Sequence, residues 1–246
     1  MGEAVELSWP FPVNDRSMPH LWDIFGQFFE PSRRSGPLLI TVLLQAAAST
    51  MQKAALGFAM GAFVGFALGI LIAHSRLLER GLLPYLVASQ TVPILAIAPM
   101  VVVWLGAGLV SVAIIAAYLT FFPVTVNTLR GLRSADPRAH ELMRSYAASR
   151  WDVLWKLTVP ASMPYLFTAL KIAGPASVVR TIIGELPSSI QGGLAGLILN
   201  YNIYYSTSPA SLWATIVVAS LLGIAFYAAV ALAERLLIHR APEHIA

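Results

Sequence analysis

The sequence predicts an all-α fold, a polytopic membrane bundle of about five transmembrane helices. Of its 246 residues, 57% are hydrophobic and 11% are charged, and the mean hydropathy is +0.72. A soluble domain carries roughly twice that charged fraction. Five apolar segments are long enough, or nearly so, to cross about 30 Å of hydrocarbon. They cover residues 54–73, 82–105, 109–128, 164–186 and 212–233.

Basic residues follow the first, third and fifth of these segments. Arg76 and Arg80 follow the first, six of the sixteen Lys and Arg lie in residues 129–162, and Arg235 and Arg240 follow the fifth. Because cytosolic loops are enriched in Lys and Arg, this side is expected to face the cytosol, with the C-terminus. The alternation also explains the pI of 9.6 better than nucleic-acid binding does. We expect a multi-pass protein of the inner (plasma) membrane.

Residues 1–53 are expected to form an extracytoplasmic or interfacial segment before a transmembrane domain over 54–240 and a tail over 241–246. Stretches 21–29 and 38–52 have apolar stripes that suit helices at the outer surface. The alternative is a marginal extra span over 37–52. No cleavable signal is expected, because the first 36 residues lack a continuous apolar core after a basic start.

Proline and glycine mark features within the spans. Kinks are expected at Pro93, Pro99, Pro123 and Pro175, provided that neighbours satisfy the carbonyls that each proline frees. Glycines recur every fourth residue from Gly57 to Gly69 and form one smooth stripe. Such a stripe predicts close helix packing, within the chain rather than between chains.

The polar segment 129–162 contains two helix-start patterns. Asp136 and Pro137 predict an N-cap and first position of a helix that runs to about residue 148. Ser149, followed three residues later by Asp152, predicts a second short helix that ends by Pro160. The small residues Ala147, Ala148 and Ser149 lie between them. We expect a knob that fits the groove of a partner.

The same segment resembles the EAA signature of permeases of ATP-binding-cassette (ABC) importers. Its spacing places the matching residues at Glu141, Ala147, Leu157, Val159 and Pro160. The letters differ, since Leu142 and Met143 replace two alanines and Ala147 replaces the glycine. Residues 93–99 (PILAIAP), 104–108 (WLGAG) and 127–137 (NTLRGLRSADP) resemble the nitrate, sulfonate and taurine branch. Members of that branch commonly have an additional N-terminal span, which has no convincing equivalent before residue 37.

The resemblance implies a permease that pairs with a second permease, the same chain or a related one. Two cytosolic ABC ATPase subunits and an extracytoplasmic solute-binding protein complete such an importer. No phosphate-binding loop ending in Gly-Lys-Ser/Thr is present, so this chain is expected to be no enzyme and to hold no cofactor. ATP and Mg²⁺ belong to the ATPases. The implied coupling residues are Glu141, Arg144, Ala147, Ala148, Ser149, Arg150 and Pro160.

Polar residues within apolar spans are the candidates for the translocation path, because their burial is costly unless they face water or each other. They are Gln90, Thr91, Arg180 and Glu185. Structural pairing is the alternative role for Arg180 and Glu185. Arg180 is also a candidate to attract an anion such as nitrate or a sulfonate.

A cluster of amides and phenols precedes the last span. Asn200, Tyr201, Asn202 and Tyr204 are candidates to stack on and hydrogen-bond a planar heterocycle, such as riboflavin or a pyrimidine precursor. The alternative is an aromatic anchor at the membrane interface. Heterocycle and anion both stay open as solutes, since selectivity in such importers resides largely in the binding protein.

Two other functions are weighed against the importer. A secondary transporter usually shows more spans and an inverted repeat, and a membrane enzyme needs a cluster of acids, bases or metal ligands. The chain has no cysteine, and its five histidines lack metal-ligand spacing, so no metal site is expected. Uptake that depends on partner ATPases would identify an importer.

Overall fold

The computed structural model describes residues 19–32, 36–186 and 192–238. In these ranges the fold is all-α, as predicted, and two residues form an isolated antiparallel bridge, Pro31 with Leu38. The helices are α1 (Leu21–Gln27), α2 (Leu39–Ala73), α3 (Arg76–Ser89), α4 (Ile94–Leu105), α5 (Leu109–Leu132), α6 (Pro137–Ser145), α7 (Arg150–Val153), α8 (Val159–Glu185), α9 (Leu194–Ile203) and α10 (Pro209–Leu237).

Four helical segments in the described part of the chain are long and apolar enough to cross a membrane. They are α2, α5, the continuous stretch Arg150–Glu185 and α10. A π-helical turn, Leu154–Thr158, joins α7 to α8 within that stretch. The predicted polytopic bundle is therefore present, and shorter apolar helices supplement these spans.

The N-terminal boundary of the first span differs from the prediction. Helix α2 runs without a break from Leu39 to Ala73, so residues 39–53 are neither a separate interfacial helix nor an extra span. Two of the polar residues that interrupt this stretch, Thr50 and Lys53, are explained by an internal contact, because they are buried inside the bundle. The predicted helix near residue 21 is present as α1, whose Ile24 packs into the core.

The predicted second span, 82–105, is broken into α3 and α4. Pro93 stands at the start of α4, and the residues before it close α3 with side-chain hydrogen bonds. The Ser89 hydroxyl donates to the Leu86 carbonyl (2.7 Å), and that of Thr91 donates to the Ala88 carbonyl (2.8 Å). Proline disfavours helical geometry in the residue before it, which explains the break.

Helices α2 and α5 lie in backbone contact along the predicted glycine stripe. A Cβ atom on Gly61 would lie 2.6 Å from the Ala117 carbonyl oxygen, and one on Gly65 would lie 2.5 Å from that of Phe121. Side chains larger than hydrogen do not fit at these positions. The stripe therefore packs inside the chain, as predicted, and the two helices run parallel.

Helices α8 and α10 complete the bundle. Helix α8 runs antiparallel to α5, with Gly131 beside Ser162 and Gly184 beside Ile115. Phe226 of α10 packs against Gly174 of α8 and makes an edge contact with the ring of Phe58. The C-terminal ends of α2, α5 and α10 thus meet at one end of the molecule, where the arginines of α3 and of the ends of α5 and α10 also lie, and we call it the basic end.

Candidate functional site

Helix α6 begins as the sequence predicts. The Asp136 carboxylate accepts a hydrogen bond from the Arg138 backbone N–H (2.8 Å), and Pro137 occupies the first helical turn. The cap satisfies a backbone donor that has no partner inside the helix. The predicted N-cap is confirmed.

The end of α6 is a tight reversal at Ala147. The helix stops at Ser145, three residues before the predicted end, and Ala147 has a φ of +51°. The Ala147 N–H donates to the Arg144 carbonyl (2.9 Å) and the Ala148 N–H to the Met143 carbonyl (3.0 Å). These bonds form a Schellman motif, in which glycine is the usual left-handed residue. Ala147 therefore stands, with strain, where the resembled signature has its glycine.

The second short helix begins at the predicted cap but does not end where predicted. The Ser149 hydroxyl accepts from the Asp152 N–H (3.2 Å). From Arg150 the chain continues through the π-helical turn and past Pro160 to Glu185. The hydrogen bond that Pro160 cannot donate would fall within the π-helical turn, where the regular ladder is already interrupted. The predicted end at Pro160 is wrong.

The reversal between α6 and α7, residues 146–149, forms a projecting surface that we call the corner. Leu142, Tyr146 and Trp151 around it are 56%, 76% and 70% exposed. Sequence reasoning singled out the small residues and missed these large apolar ones. Their only signal was a set of bulky side chains flanking a predicted turn, a composition that is enriched at interfaces.

The predicted coupling residues do not all share one surface. Glu141, Ala147 and Ser149 are exposed near the corner, whereas Pro160 lies within the long helix. Arg144, Ala148 and Arg150 line a cavity of about 510 Å³ between the corner and the ends of α2 and α5.

A bidentate ion pair fixes α3 to the end of α5 beside this cavity. The Arg133 guanidinium donates to both oxygens of Glu79, at 2.8 and 2.6 Å. This hydrogen bonding lowers the pKa of Glu79 and raises the pKa of Arg133. Both groups are therefore charged at neutral pH.

Arg180 contacts a carbonyl that a proline has left without a donor. Its guanidinium donates to the Leu119 carbonyl at 2.7 Å. Pro123, four residues later on α5, has no N–H to give that carbonyl. Arg180 thus provides the hydrogen-bond donor that Pro123 lacks. It does not pair with Glu185.

Glu185 is the centre of a buried polar cluster that sequence reasoning missed in part. Its carboxylate is 2.8 Å from the Lys53 ammonium and accepts from the Thr50 hydroxyl at 3.1 and 3.2 Å. The Ala195 N–H, at the start of α9, donates to it as well (3.3 Å). A Cβ on Gly193 would lie 2.4 Å from the carboxylate. The cluster joins α2, α8 and α9.

The four predicted translocation residues divide between two places. Gln90 and Thr91 lie at the break between α3 and α4, where the Tyr118 hydroxyl donates to the Ser89 carbonyl. Arg180 reaches Leu119, the next residue along α5. These three candidates therefore lie at a similar height along α5, whereas Glu185 is enclosed among α2, α8 and α9.

Three of the four amide and phenol residues line a cavity of about 610 Å³ away from the basic end. Asn200, Tyr201 and Tyr204 belong to this lining, and Asn202 does not. The other lining residues are Gln27, Pro31, Ser32, Ser208 and Ser211. Among the described residues the lining carries amide, hydroxyl and phenol groups and no formally charged side chain.

Comparison with known proteins identifies the family. Residues 61–239 match the model of the binding-protein-dependent transport system inner membrane component. The chain belongs to that family. This permease is a membrane subunit of an ABC importer, in agreement with the functions of its relatives.

Its relatives include permeases with different solutes in their names. The formylaminopyrimidine transport permease protein ThiX of Halalkalibacterium halodurans is 34% identical over 190 residues, 77% of this chain and 75% of ThiX. The riboflavin transport system permease protein RibX of Chloroflexus aurantiacus is 31% identical over 166 residues, 68% of this chain and 61% of RibX. The nitrate import permease protein NrtB of Leptolyngbya laminosa is 31% identical over 184 residues, 72% of this chain and 62% of NrtB. This permease thus spans less than two thirds of RibX and NrtB.

A solved structure has the same fold. A crystal structure described as an amino acid ABC transporter with histidines matches with a TM-score of 0.64 at 13% identity, over 80% of this chain and 94% of that one. The likeness supports the helical architecture.

Ala147→Gly is expected to stabilise this permease. Glycine removes the strain of a left-handed alanine, about 1–2 kcal/mol, but it also makes the unfolded chain more flexible, which lowers stability by about 0.4–1 kcal/mol. The free energy of unfolding should therefore rise by about 1 kcal/mol. Chemical unfolding in detergent micelles measures this change in the free energy of unfolding. Ala148→Gly is the matched control, because Ala148 has no positive φ and gains nothing. A loss of stability in Ala147→Gly would contradict the strained reversal.

Lys53→Met is expected to destabilise this permease by about 3–5 kcal/mol, because it leaves the Glu185 carboxylate buried without its counter-charge. Adding Glu185→Gln should recover much of the loss, since a neutral amide needs no cation. Thermal unfolding of the single and double variants forms a double-mutant cycle. Lys156→Met, which removes an exposed ion pair with Asp152, should change stability little. Strict additivity of the two substitutions would refute the proposed coupling.

Proposed function

We propose that this permease couples to a cytosolic ABC ATPase through the corner and moves a small, planar, uncharged heterocycle. The observation that carries the coupling is the exposed apolar surface around the corner, which directly precedes a helical stretch continuous with a membrane span. Large apolar side chains projecting into water are typical of surfaces that a partner covers. The ATPases, a second permease and a solute-binding protein are the partners, and ATP hydrolysis takes place in the ATPases.

The proposed orientation follows from the charges. The arginines of the basic end supply the positive charge that cytosolic surfaces carry, so the basic end and the C-terminus are assigned to the cytosol. The corner lies at that end, next to the terminal residues of α2 and α5. The cavity lined by Asn200, Tyr201 and Tyr204 then faces the external side, where a binding protein delivers solute.

Continuity of the helix supports a mechanical link. From Arg150 to Glu185 no loop interrupts the chain, and the Thr158 hydroxyl donates to the Leu154 carbonyl (3.0 Å) across the π-helical turn. A displacement of the corner by closing ATPases would therefore move α8 as a body, together with the helices joined to Glu185. Alternating access by rigid-body motion is the expected consequence.

Charge at the candidate sites favours a neutral solute over an anion. Lys53 balances the charge of Glu185, and the Arg180 guanidinium is held at the Leu119 carbonyl and does not line the external cavity. The external cavity presents amides, hydroxyls and phenol rings, which suit hydrogen bonding and stacking with a heterocycle. Its volume of about 610 Å³ is within the usual range for small-molecule sites. ThiX and RibX, named for a pyrimidine and for riboflavin, are consistent with this solute class.

A cross-linking experiment tests the coupling role, using a chain that has no native cysteine. Ala147→Cys places a thiol on the corner with little change in size, and it should cross-link to single-cysteine candidate ATPases in membranes, with a yield that changes with ATP. Leu77→Cys is the control, since Leu77 is 81% exposed at the same end but lies on α3. A cysteine at 147 that is labelled from the cytosol yet cross-links to no candidate ATPase would overturn the coupling role.

Uptake by cells that express the complete importer tests which class of solute is transported. We expect ATP-dependent uptake of radiolabelled riboflavin or formylaminopyrimidine that unlabelled heterocycle inhibits and nitrate or ethanesulfonate does not. Tyr204→Ala should lower the rate about two- to tenfold, the effect of losing one aromatic contact. Tyr227→Ala is the control, because Tyr227 is exposed on α10 and does not line the cavity. If nitrate inhibits uptake and the Tyr204→Ala variant takes up the labelled heterocycle at the normal rate, the result would favour an anion as the transported solute.

A further inference from the structure

We propose that the cavity behind the corner is a binding site for a phosphate-bearing anion. It lies between the ends of α2 and α5 on one side and α6 and α7 on the other, with a volume of about 510 Å³. The charged and titratable side chains that line it are His74, Arg133, His140, Arg144 and Arg150. In the described ranges no carboxylate lines it, and the side chains there that carry a formal charge are the three arginines.

Two of the three guanidinium groups in this cavity lack a counter-charge. Arg133 is neutralised by its bidentate pair with Glu79. Arg144 and Arg150 have no ion pair or side-chain hydrogen bond in the part of the chain that the structure describes. Two like charges directed at one cavity repel each other unless an anion lies between them.

Nearby carboxylates are used elsewhere or stand apart. Asp152 is held by Lys156 (2.6 Å) and by the Ser149 hydroxyl (2.5 Å), and Asp136 caps α6. Glu141 lies three residues before Arg144, but it is exposed and does not pair with it. The described chain therefore supplies no anion of its own to the two arginines.

Both histidines keep one ring nitrogen available for a ligand. The Nδ1 atom of His74 is 2.8 Å from the Ile70 carbonyl oxygen, and that of His140 is 3.2 Å from the Asp136 carbonyl oxygen. A carbonyl oxygen can only accept, so Nδ1 carries the hydrogen and Nε2 is left over. The free Nε2 can share a hydrogen with a phosphate oxygen, and guanidinium groups bind phosphate in bidentate fashion.

The position of the cavity points to two sources of phosphate. It lies where the apolar helices α2 and α5 end, the level of lipid headgroups, and basic pockets at that level bind anionic lipids. The second source is free inorganic phosphate, released nearby by ATPases. The inference rests on the proposed function for the side of the membrane that the cavity faces and, for free phosphate, for ATPases that act nearby.

Lipid retention by the purified permease tests the first source. Protein from nanodiscs of phosphatidylcholine mixed with phosphatidylglycerol is released into detergent, and retained phosphatidylglycerol is counted by native mass spectrometry. The double variant Arg144→Gln/Arg150→Gln should bind about 30-fold more weakly, which corresponds to about 1 kcal/mol for each of the two arginines near a headgroup. Arg138→Gln is the matched control, since it removes one charge from the same helix outside the cavity.

Titration with inorganic phosphate in pure phosphatidylcholine nanodiscs, followed by calorimetry, tests the second source. Phosphatidylglycerol retention that depends on the two arginines assigns the site to lipid, and arginine-dependent phosphate binding alone assigns it to the free ion. The variant Arg144→Lys/Arg150→Lys keeps both charges and should retain much of the binding. It tests the role of charge independently if the glutamine variant fails to fold. Equal binding by all variants, or none in either arm, would overturn the proposal. Either result leaves the cross-linking and uptake tests unaffected, because neither ATPase nor solute is present.

Discussion

Backbone contact between α2 and α5 is the constraint on which the rest of this permease depends. Glycines at every fourth position allow the two helices to approach until a single added carbon would collide with a carbonyl oxygen. Van der Waals contact of this kind drives helix association where water is absent. Because the pair is parallel, the chain between them must return to its starting side, which α3 and α4 accomplish. Helix α8 then packs on α5, and α10 packs on α8.

Local signals in the sequence were sufficient for much of the fold and for the starts of α6 and α7. The caps at Asp136 and Ser149 join atoms two or three residues apart, so the local sequence alone is enough to predict them. The glycine stripe is equally local, since its spacing matches the helical repeat. The position of the strained Ala147 was also readable, because the resembled signature has glycine there.

Contacts between distant residues could not be predicted in the same way. Lys53 and Glu185 are separated by 132 positions, and the sequence around either residue does not indicate that the other is its partner. Polar residues before position 54 were interpreted as a sign of the membrane interface, whereas burial beside Glu185 accounts for Thr50 and Lys53. Arg180 shows the same limit, because its partner is a carbonyl freed by a proline on another helix. The proline predicted that a donor was needed, but not which residue would provide it.

The separation of Lys53 from Glu185 also affects the order in which the protein is built. Ribosomes add about 5–20 residues per second, so Lys53 is synthesised roughly 7–26 seconds before its counter-charge. During that interval α2 meets the translocon with an unpaired lysine, which costs about 2.5–3.5 kcal/mol near the centre of a span. The Leu, Ile, Phe and Val side chains of α2 each contribute about 0.3–0.6 kcal/mol to membrane insertion and offset this cost. The hydrophobicity of α2 therefore serves biogenesis as well as packing, because it holds a charged helix in the bilayer until α8, the sixth helix after it, has been synthesised with the matching carboxylate.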